Sequence, residues 1–131
     1  MLNGRKIDHV VLRTGDLEDM VRFYSDIFNA EVARRDDKIG LIQLRIGDFL
    51  LDLLRADVGG FAKNCRPEAV LDHLSIEVDP PARSDIEALS KKIGVKLQMR
   101  TLHGARGFGT SIMVEDPDGN RIEIKYYETR Q

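Results

Sequence analysis

Two short stretches, IDHVVL at residues 7–12 and LDHLSI at residues 71–76, each open the same succession of elements. This duplication limits the possible folds of the chain more than any other feature. Each stretch alternates apolar and polar residues as a half-buried strand does, and each is followed by a segment with apolar residues at helical spacing. Three further strand-like segments come after each helix, so the order is βαβββ twice over. A unit of this kind cannot cover both faces of its sheet with one helix. Pairing two of them predicts an α+β fold in which tandem βαβββ modules form a curved mixed sheet around a concave face suited to a metal or substrate.

In the first copy a strand is predicted over 7–13 and a helix over 17–28, where Leu17, Met20, Val21, Tyr24, Ile27 and Phe28 share a face. Asp16 is placed to cap its start, and Asn29 is a residue type that accepts the left-handed conformation just past a helix end. Strands at about 31–35, 39–46 and 49–55 follow, parted by Asp36-Asp37 and by the tight Gly47-Asp48 turn. Residues 57–69, DVGGFAKNCRPEA, have no periodicity and read as a linker. The second copy runs from a strand at 71–78 into a helix opened by the capping-box sequence Ser84-Asp85-Ile86-Glu87, with Ile86, Leu89 and Ile93 on one face, and ended by Gly94. Strands at about 95–102, 109–115 and 121–127 complete it, the last two joined by the turn Asp116–Asn120. The expected organisation is one domain over 1–131, with module 1 at about 5–57, a linker at 58–69 and module 2 at about 70–128.

Composition removes several classes of function. The net charge is −2 and the 20 Lys and Arg residues are dispersed along the chain, so the basic stripe of a nucleic-acid binder is missing. No apolar run approaches the roughly 18 residues that span a bilayer, and MLNGRKID has no signal-peptide core. The expected setting is the cytoplasm, without membrane partners. Cys65 is the single cysteine, which excludes an internal disulfide and a thiolate-cluster zinc site. Any metal must be held by imidazole and oxygen.

Strand alternation supplies such donors. With Val10 and Leu12 facing the helix, His9 faces the other way; with Leu74, Ile76 and Val78 facing the helix, so does His73. In the last strand Ile122 and Ile124 leave Glu123 on the opposite face, beside Arg121 and Lys125. The equivalent strand of the first copy, FLLDLLR, holds Asp52 as a lone carboxylate between Leu50 and Leu54. Each copy therefore offers one imidazole and one carboxylate, His9 with Asp52 and His73 with Glu123. Two His with one carboxylate suit a divalent Zn, Ni, Co, Mn or Fe ion and leave positions open for substrate. Taken singly, either His is more often a structural or half-exposed residue than a ligand, and Glu123 is readable as one charge of an exposed Arg-Glu-Lys stripe. The repetition at matched positions favours metal.

The segments IDHVVLRTGDLEDMVRFYSDIF, LDHLSIEV and GFGTSIMVEDPDGNRIEIKYY resemble the vicinal oxygen chelate superfamily. That group includes glyoxalase I, fosfomycin-resistance proteins, extradiol dioxygenases, methylmalonyl-CoA epimerases and bleomycin-resistance (bleomycin-binding) proteins. The resemblance implies His9, His73 and Glu123 as metal ligands and a substrate anion stabilised by the metal. It places Asp52 where glyoxalase I-like members have Glu or Gln, so Asp52 is a shorter fourth ligand, a base or neither. The implied activity is that of a glyoxalase I-like lyase or isomerase, with Glu123 or Asp52 as the catalytic carboxylate. Ring cleavage by iron, a fosfomycin-type reaction and antibiotic sequestration are the alternatives. Arg100, His103 and Arg106, in and before the glycine-rich stretch LHGARGFG, are candidate substrate contacts, and His103 is also readable as a solvated loop residue. The same resemblance implies a homodimer acting on a small molecule.

Overall fold

The protein is described by a computed structural model covering residues 1, 3, 5–56, 71 and 73–128. The predicted linker at 57–69, Cys65 included, lies outside the described residues. The chain divides into two compact units, Met1–Ala69 and Val70–Gln131. Each contains a four-stranded mixed sheet and a helix, the α+β architecture expected from the repeat.

Unit 1 consists of β1 (Val10–Thr14), α1 (Leu17–Phe28), β2 (Glu31–Asp36), β3 (Leu41–Ile46) and β4 (Phe49–Arg55), with strand order β1-β4-β3-β2. Strand β1 runs parallel to β4, and the rest is an antiparallel meander. Helix α1 occupies the predicted span. The backbone N–H of Asp19 donates to the Asp16 carboxylate at 3.0 Å, and Asn29 ends the helix at φ 54°. Its inward residues Met20 and Tyr24 are fully buried with Ile42, Leu44, Leu51 and Leu53, and Leu12 is buried beside them in the core. Fully burying side chains of this size stabilises by about 1.5–3 kcal/mol each. The first strand begins at Val10 rather than residue 7, and its pairing with β4 starts there, opposite Leu51. His9 therefore sits just before the strand.

Unit 2 consists of β5 (Leu74–Glu77), α2 (Arg83–Ile93), β6 (Met99–Gly104), β7 (Gly107–Glu115) and β8 (Arg121–Tyr126), ordered β5-β8-β7-β6. The connectivity of unit 1 is reproduced, with β5 parallel to β8. Helix α2 starts earlier than Ser84. Ala82 occupies the cap position, and the Asp85 carboxylate accepts the Ala82 N–H at 2.9 Å, the acidic half of a capping box without a hydroxyl partner. Ile86, Leu89 and Ile93 are only half-buried, so this helix is less deeply seated than α1.

The glycine-rich stretch is a hairpin, not a loop. Strand β6 extends to Gly104, β7 begins at Gly107, and Ala105-Arg106 form the turn between them. The glycines that conceal the strands in the sequence are required by packing. A Cβ on Gly109 would stand 2.7 Å from the Tyr126 carbonyl oxygen and 2.8 Å from the Tyr127 ring, and one on Gly104 would stand 2.6 Å from the Tyr127 hydroxyl. Because the nearest obstacle to Gly109 is backbone, Gly109→Ala is expected to destabilise by about 1–3 kcal/mol. A lower urea midpoint at unchanged slope is the readout, and an unaltered midpoint means that the hairpin yields without cost.

Candidate metal centre

The registers reveal how deep the repeat goes. Val11 lies opposite Asp52 across the β1–β4 pair, and Ser75 lies opposite Glu123 across β5–β8. His9 precedes Val11 by two residues and His73 precedes Ser75 by two, so each histidine stands in the same relation to its carboxylate. Side chains two apart on a strand share a face. In each unit the carboxylate lies on the face opposite the apolar core, and its histidine sits one residue before the strand.

In unit 2 the pair is in contact. His73 Nε2 is 3.3 Å from Glu123 Oε1. The other carboxylate oxygen, Oε2, accepts a hydrogen bond of 2.5 Å from the Ser111 hydroxyl of β7. Lys125, two residues on in β8, is 3% exposed; its Nζ donates to Ser111 Oγ at 3.0 Å and to the Leu102 carbonyl, and lies 3.9 Å from Glu123 Oε2. A buried carboxylate (Glu123, 9% exposed) is thus accompanied by a buried ammonium and a bridging hydroxyl. Leaving either charge without the other would be costly.

In unit 1 the pair does not touch in this way. Asp52 is 6% exposed, and among the described residues its Oδ1 has no hydrogen-bond partner. Its side chain is one methylene shorter than that of Glu123. His9 instead engages its neighbour, with Nδ1 2.7 Å from Asp8 Oδ2. The Asp8 contact, and secondarily the Asp52 charge, raise the His9 pKa above its ordinary 6.5. A carboxylate on Nδ1 fixes the tautomer and leaves Nε2 as the available donor, an arrangement common behind metal-bound histidines.

Among the described residues no three His, Cys, Asp or Glu side chains gather closely enough to hold a metal ion. The donors come in pairs, one per unit. The unit 2 pair nevertheless fits a divalent ion. Imidazole and carboxylate ligands bind at about 2.0–2.2 Å, so two of them on one ion stand about 2.8–3.6 Å apart, from the 90° to the tetrahedral angle. The His73–Glu123 separation of 3.3 Å falls in that interval.

The remaining candidates separate. Arg100 and Leu102 alternate onto the face of Ser111 and Lys125. Arg106, in the β6–β7 turn, lies over the Tyr127 ring at 4.5 Å and pairs with Glu77 of β5 at 2.7 Å. His103 is on the other face: it lies opposite Phe108, whose ring it meets edge-on at 5.2 Å, whereas the neighbouring Gly104 faces Tyr127 and Lys125. His103 is therefore a strand residue, not a loop residue, and does not join Glu123. Sequence reasoning missed Ser111, Lys125 and Asp8. Alternation in the last strand put Lys125 on the Glu123 face, but the contact with Ser111 depends on cross-strand register.

A duplicated βαβββ unit carrying one imidazole and one carboxylate per copy defines a class, and the chain belongs to it: the sequence profile of the Glyoxalase/Bleomycin resistance protein/Dioxygenase superfamily matches residues 6–124. Virulence protein STM3117 of Salmonella typhimurium (strain LT2) is 30% identical over 125 residues, covering 93% of this chain and 84% of that protein. Its crystal structure superposes with a TM-score of 0.71, covering 96% of this chain and 99% of that one, at 25% identity. The fold is also that of a lactoylglutathione lyase from Agrobacterium tumefaciens, at TM-score 0.62, 17% identity and 94% coverage of each chain. A mutant of the fosfomycin resistance protein FosX from Listeria monocytogenes, crystallised with Mn(II) and 1S,2S-dihydroxypropylphosphonic acid, aligns at TM-score 0.61 and 20% identity, covering 95% of this chain and 90% of that one. Among the described residues no helix is long and apolar enough to cross a membrane.

The Asp8 contact makes a prediction about pH. Since the folded His9 pKa lies above 6.5, the contact favours the folded state fully below pH 6.5, and that contribution disappears as the pH rises through the raised midpoint. Proton NMR titration of His9 should give a midpoint above 6.5, and Asp8→Asn should lower it more than Asp52→Asn does. The reverse order would mean that Asp52, not Asp8, is the dominant partner.

Proposed function

We propose that the chain is a divalent-metal enzyme of this family, a glyoxalase I-like lyase or isomerase acting on a small oxygenated molecule. His9, His73 and Glu123 are the ligands in this reading. The observation that carries it is the His73–Glu123 pair, two metal-type donors at ligand spacing on the polar face of unit 2, with an equivalent imidazole and carboxylate in unit 1. A Zn, Ni, Co, Mn or Fe ion, when bound, would polarise adjacent substrate oxygens and stabilise an enolate-like anion.

The protein's own residues then divide the remaining work. Both oxygens of Glu123 are engaged, one toward His73 and one by Ser111, which suits it to the role of ligand. Asp52 presents a buried oxygen with no hydrogen-bond partner among the described residues, which suits it to accept a proton from the carbon beside a polarised carbonyl. It is the base in this reading, and its short arm favours that role over a fourth ligand. The proposal extends to a homodimer in the cytoplasm with a small-molecule substrate and no nucleic-acid or membrane partner.

A second reading, a fosfomycin-type reaction, draws support from Arg106. Its guanidinium, held against Tyr127 on the side of the sheet that carries Lys125, is suited to an anionic phosphonate in exchange for Glu77.

The deciding measurement is metal content after reconstitution with each divalent ion, followed by isothermal titration of wild type, His73→Ala and Glu123→Ala. Wild type should bind one equivalent, and each variant should bind at least about tenfold more weakly. Absence of stoichiometric binding by wild type would sink the proposal. Turnover of the methylglyoxal–glutathione hemithioacetal supports the isomerase, of fosfomycin the second reading, and of catechol under Fe(II) a ring-cleaving dioxygenase.

A further inference from the structure

We infer that Lys125 and Ser111 are positioning residues that fix which oxygen of Glu123 is available to a metal ion. The inference rests on Glu123 being a ligand, as proposed above. A glutamate carboxylate has two equivalent oxygens and three rotatable bonds, so an unrestrained Glu123 could present either oxygen, or both. Here Oε2 is occupied by the Ser111 hydroxyl at 2.5 Å, and only Oε1 faces His73. A hydroxyl can turn its proton elsewhere. Ser111 is prevented from doing so, because Lys125 Nζ donates to the same Oγ at 3.0 Å and thereby occupies an acceptor site on it, directing the Ser111 proton to Glu123. Lys125 is in turn held by the Leu102 carbonyl, and lies 5.8 Å from the centre of the Tyr127 ring.

The arrangement is buried throughout: Ser111 is 1% exposed and Lys125 3%. Burying a lysine costs far more than leaving it at the surface, and a polar chain of this kind persists only where every member is satisfied. The chain runs from the Leu102 carbonyl through the ammonium and the hydroxyl to Oε2, and ends at Oε1 beside the imidazole. Its product is a monodentate carboxylate set in place before any metal arrives. Among the described residues unit 1 has no counterpart: Leu54, two residues beyond Asp52, and Leu41 opposite it stand where unit 2 has Lys125 and Ser111, and Asp52 Oδ1 has no hydrogen-bond partner. Only Glu123 is prepared in this way.

Charge and position make opposite predictions for Lys125. A lysine acting only as a positive charge near the site would repel a cation, so its removal would tighten metal binding. A lysine acting through Ser111 would weaken binding when removed. The experiment compares wild type with Ser111→Ala, Ser111→Thr and Lys125→Met, each first confirmed to be folded by circular dichroism. Mn(II) affinity is measured by titration and Co(II) coordination by visible absorption. Affinity is expected to fall about ten- to hundredfold in Ser111→Ala and Lys125→Met and to be regained in Ser111→Thr, which keeps the hydroxyl. The Co(II) bands should shift in Ser111→Ala, as the carboxylate gains freedom to bind through both oxygens. Should Lys125→Met fail to fold, the two Ser111 variants decide alone. Wild-type affinity in Ser111→Ala, or tighter binding by Lys125→Met, overturns the inference while leaving the metal centre standing. No binding of Mn(II) or Co(II) by wild type overturns both.

Discussion

The parallel pairing of the first and last strands of each unit is the constraint on which the rest depends. It sets Asp52 opposite Val11 of β1 and Glu123 opposite Ser75 of β5, and those partners follow His9 and His73 by two residues. Side chains alternate with a period of two, so a slip of one residue in either register would turn the carboxylate into the apolar core and the isoleucines or leucines out of it. The buried rows Leu12, Leu53, Ile42 and Ile76, Ile124, Ile112 oppose such a slip, since it would expose them. The hydrophobic core therefore sets the position of the polar face.

The polar faces of the two units solve the problem of a buried carboxylate differently. Glu123 is long enough to reach His73 and is accompanied by Ser111 and Lys125. Asp52 is shorter, keeps an oxygen without a partner among the described residues, and acts on His9 through its charge. A buried polar atom without a partner is uncommon in native proteins and calls for a role. The two units thus share a backbone register while their side chains differ, one carboxylate occupied by hydrogen bonds and the other with an oxygen left open among the described residues. In the proposed function that difference separates a ligand from a base.

The β6–β7 hairpin shows how packing can hide a strand from sequence inspection. Gly104, Gly107 and Gly109 read as a flexible stretch, yet Gly104 and Gly109 lie where Tyr127 and the Tyr126 carbonyl leave no room for a Cβ. The consequence for His103 is direct: once the stretch is a strand, alternation sends its ring to Phe108 and away from Glu123. In the same way, the capping-box sequence at Ser84 proved to be offset, since the Asp85 carboxylate caps Ala82.

By itself, the sequence determined the duplication, the order of the elements, the span and caps of α1, and the faces on which His9, His73, Asp52 and Glu123 lie. These follow from local periodicity and from repetition, which a linear string records. Only the tertiary structure decided that Glu123 meets His73 while Asp52 keeps an unpartnered oxygen, that Asp8 engages His9, and that Lys125 is buried behind Ser111. Those outcomes depend on cross-strand register and on the length of a single side chain. The placement of Lys125 on the Glu123 face was legible; its burial was not, because an Arg-Glu-Lys alternation reads the same whether its face meets water or a serine on the neighbouring strand.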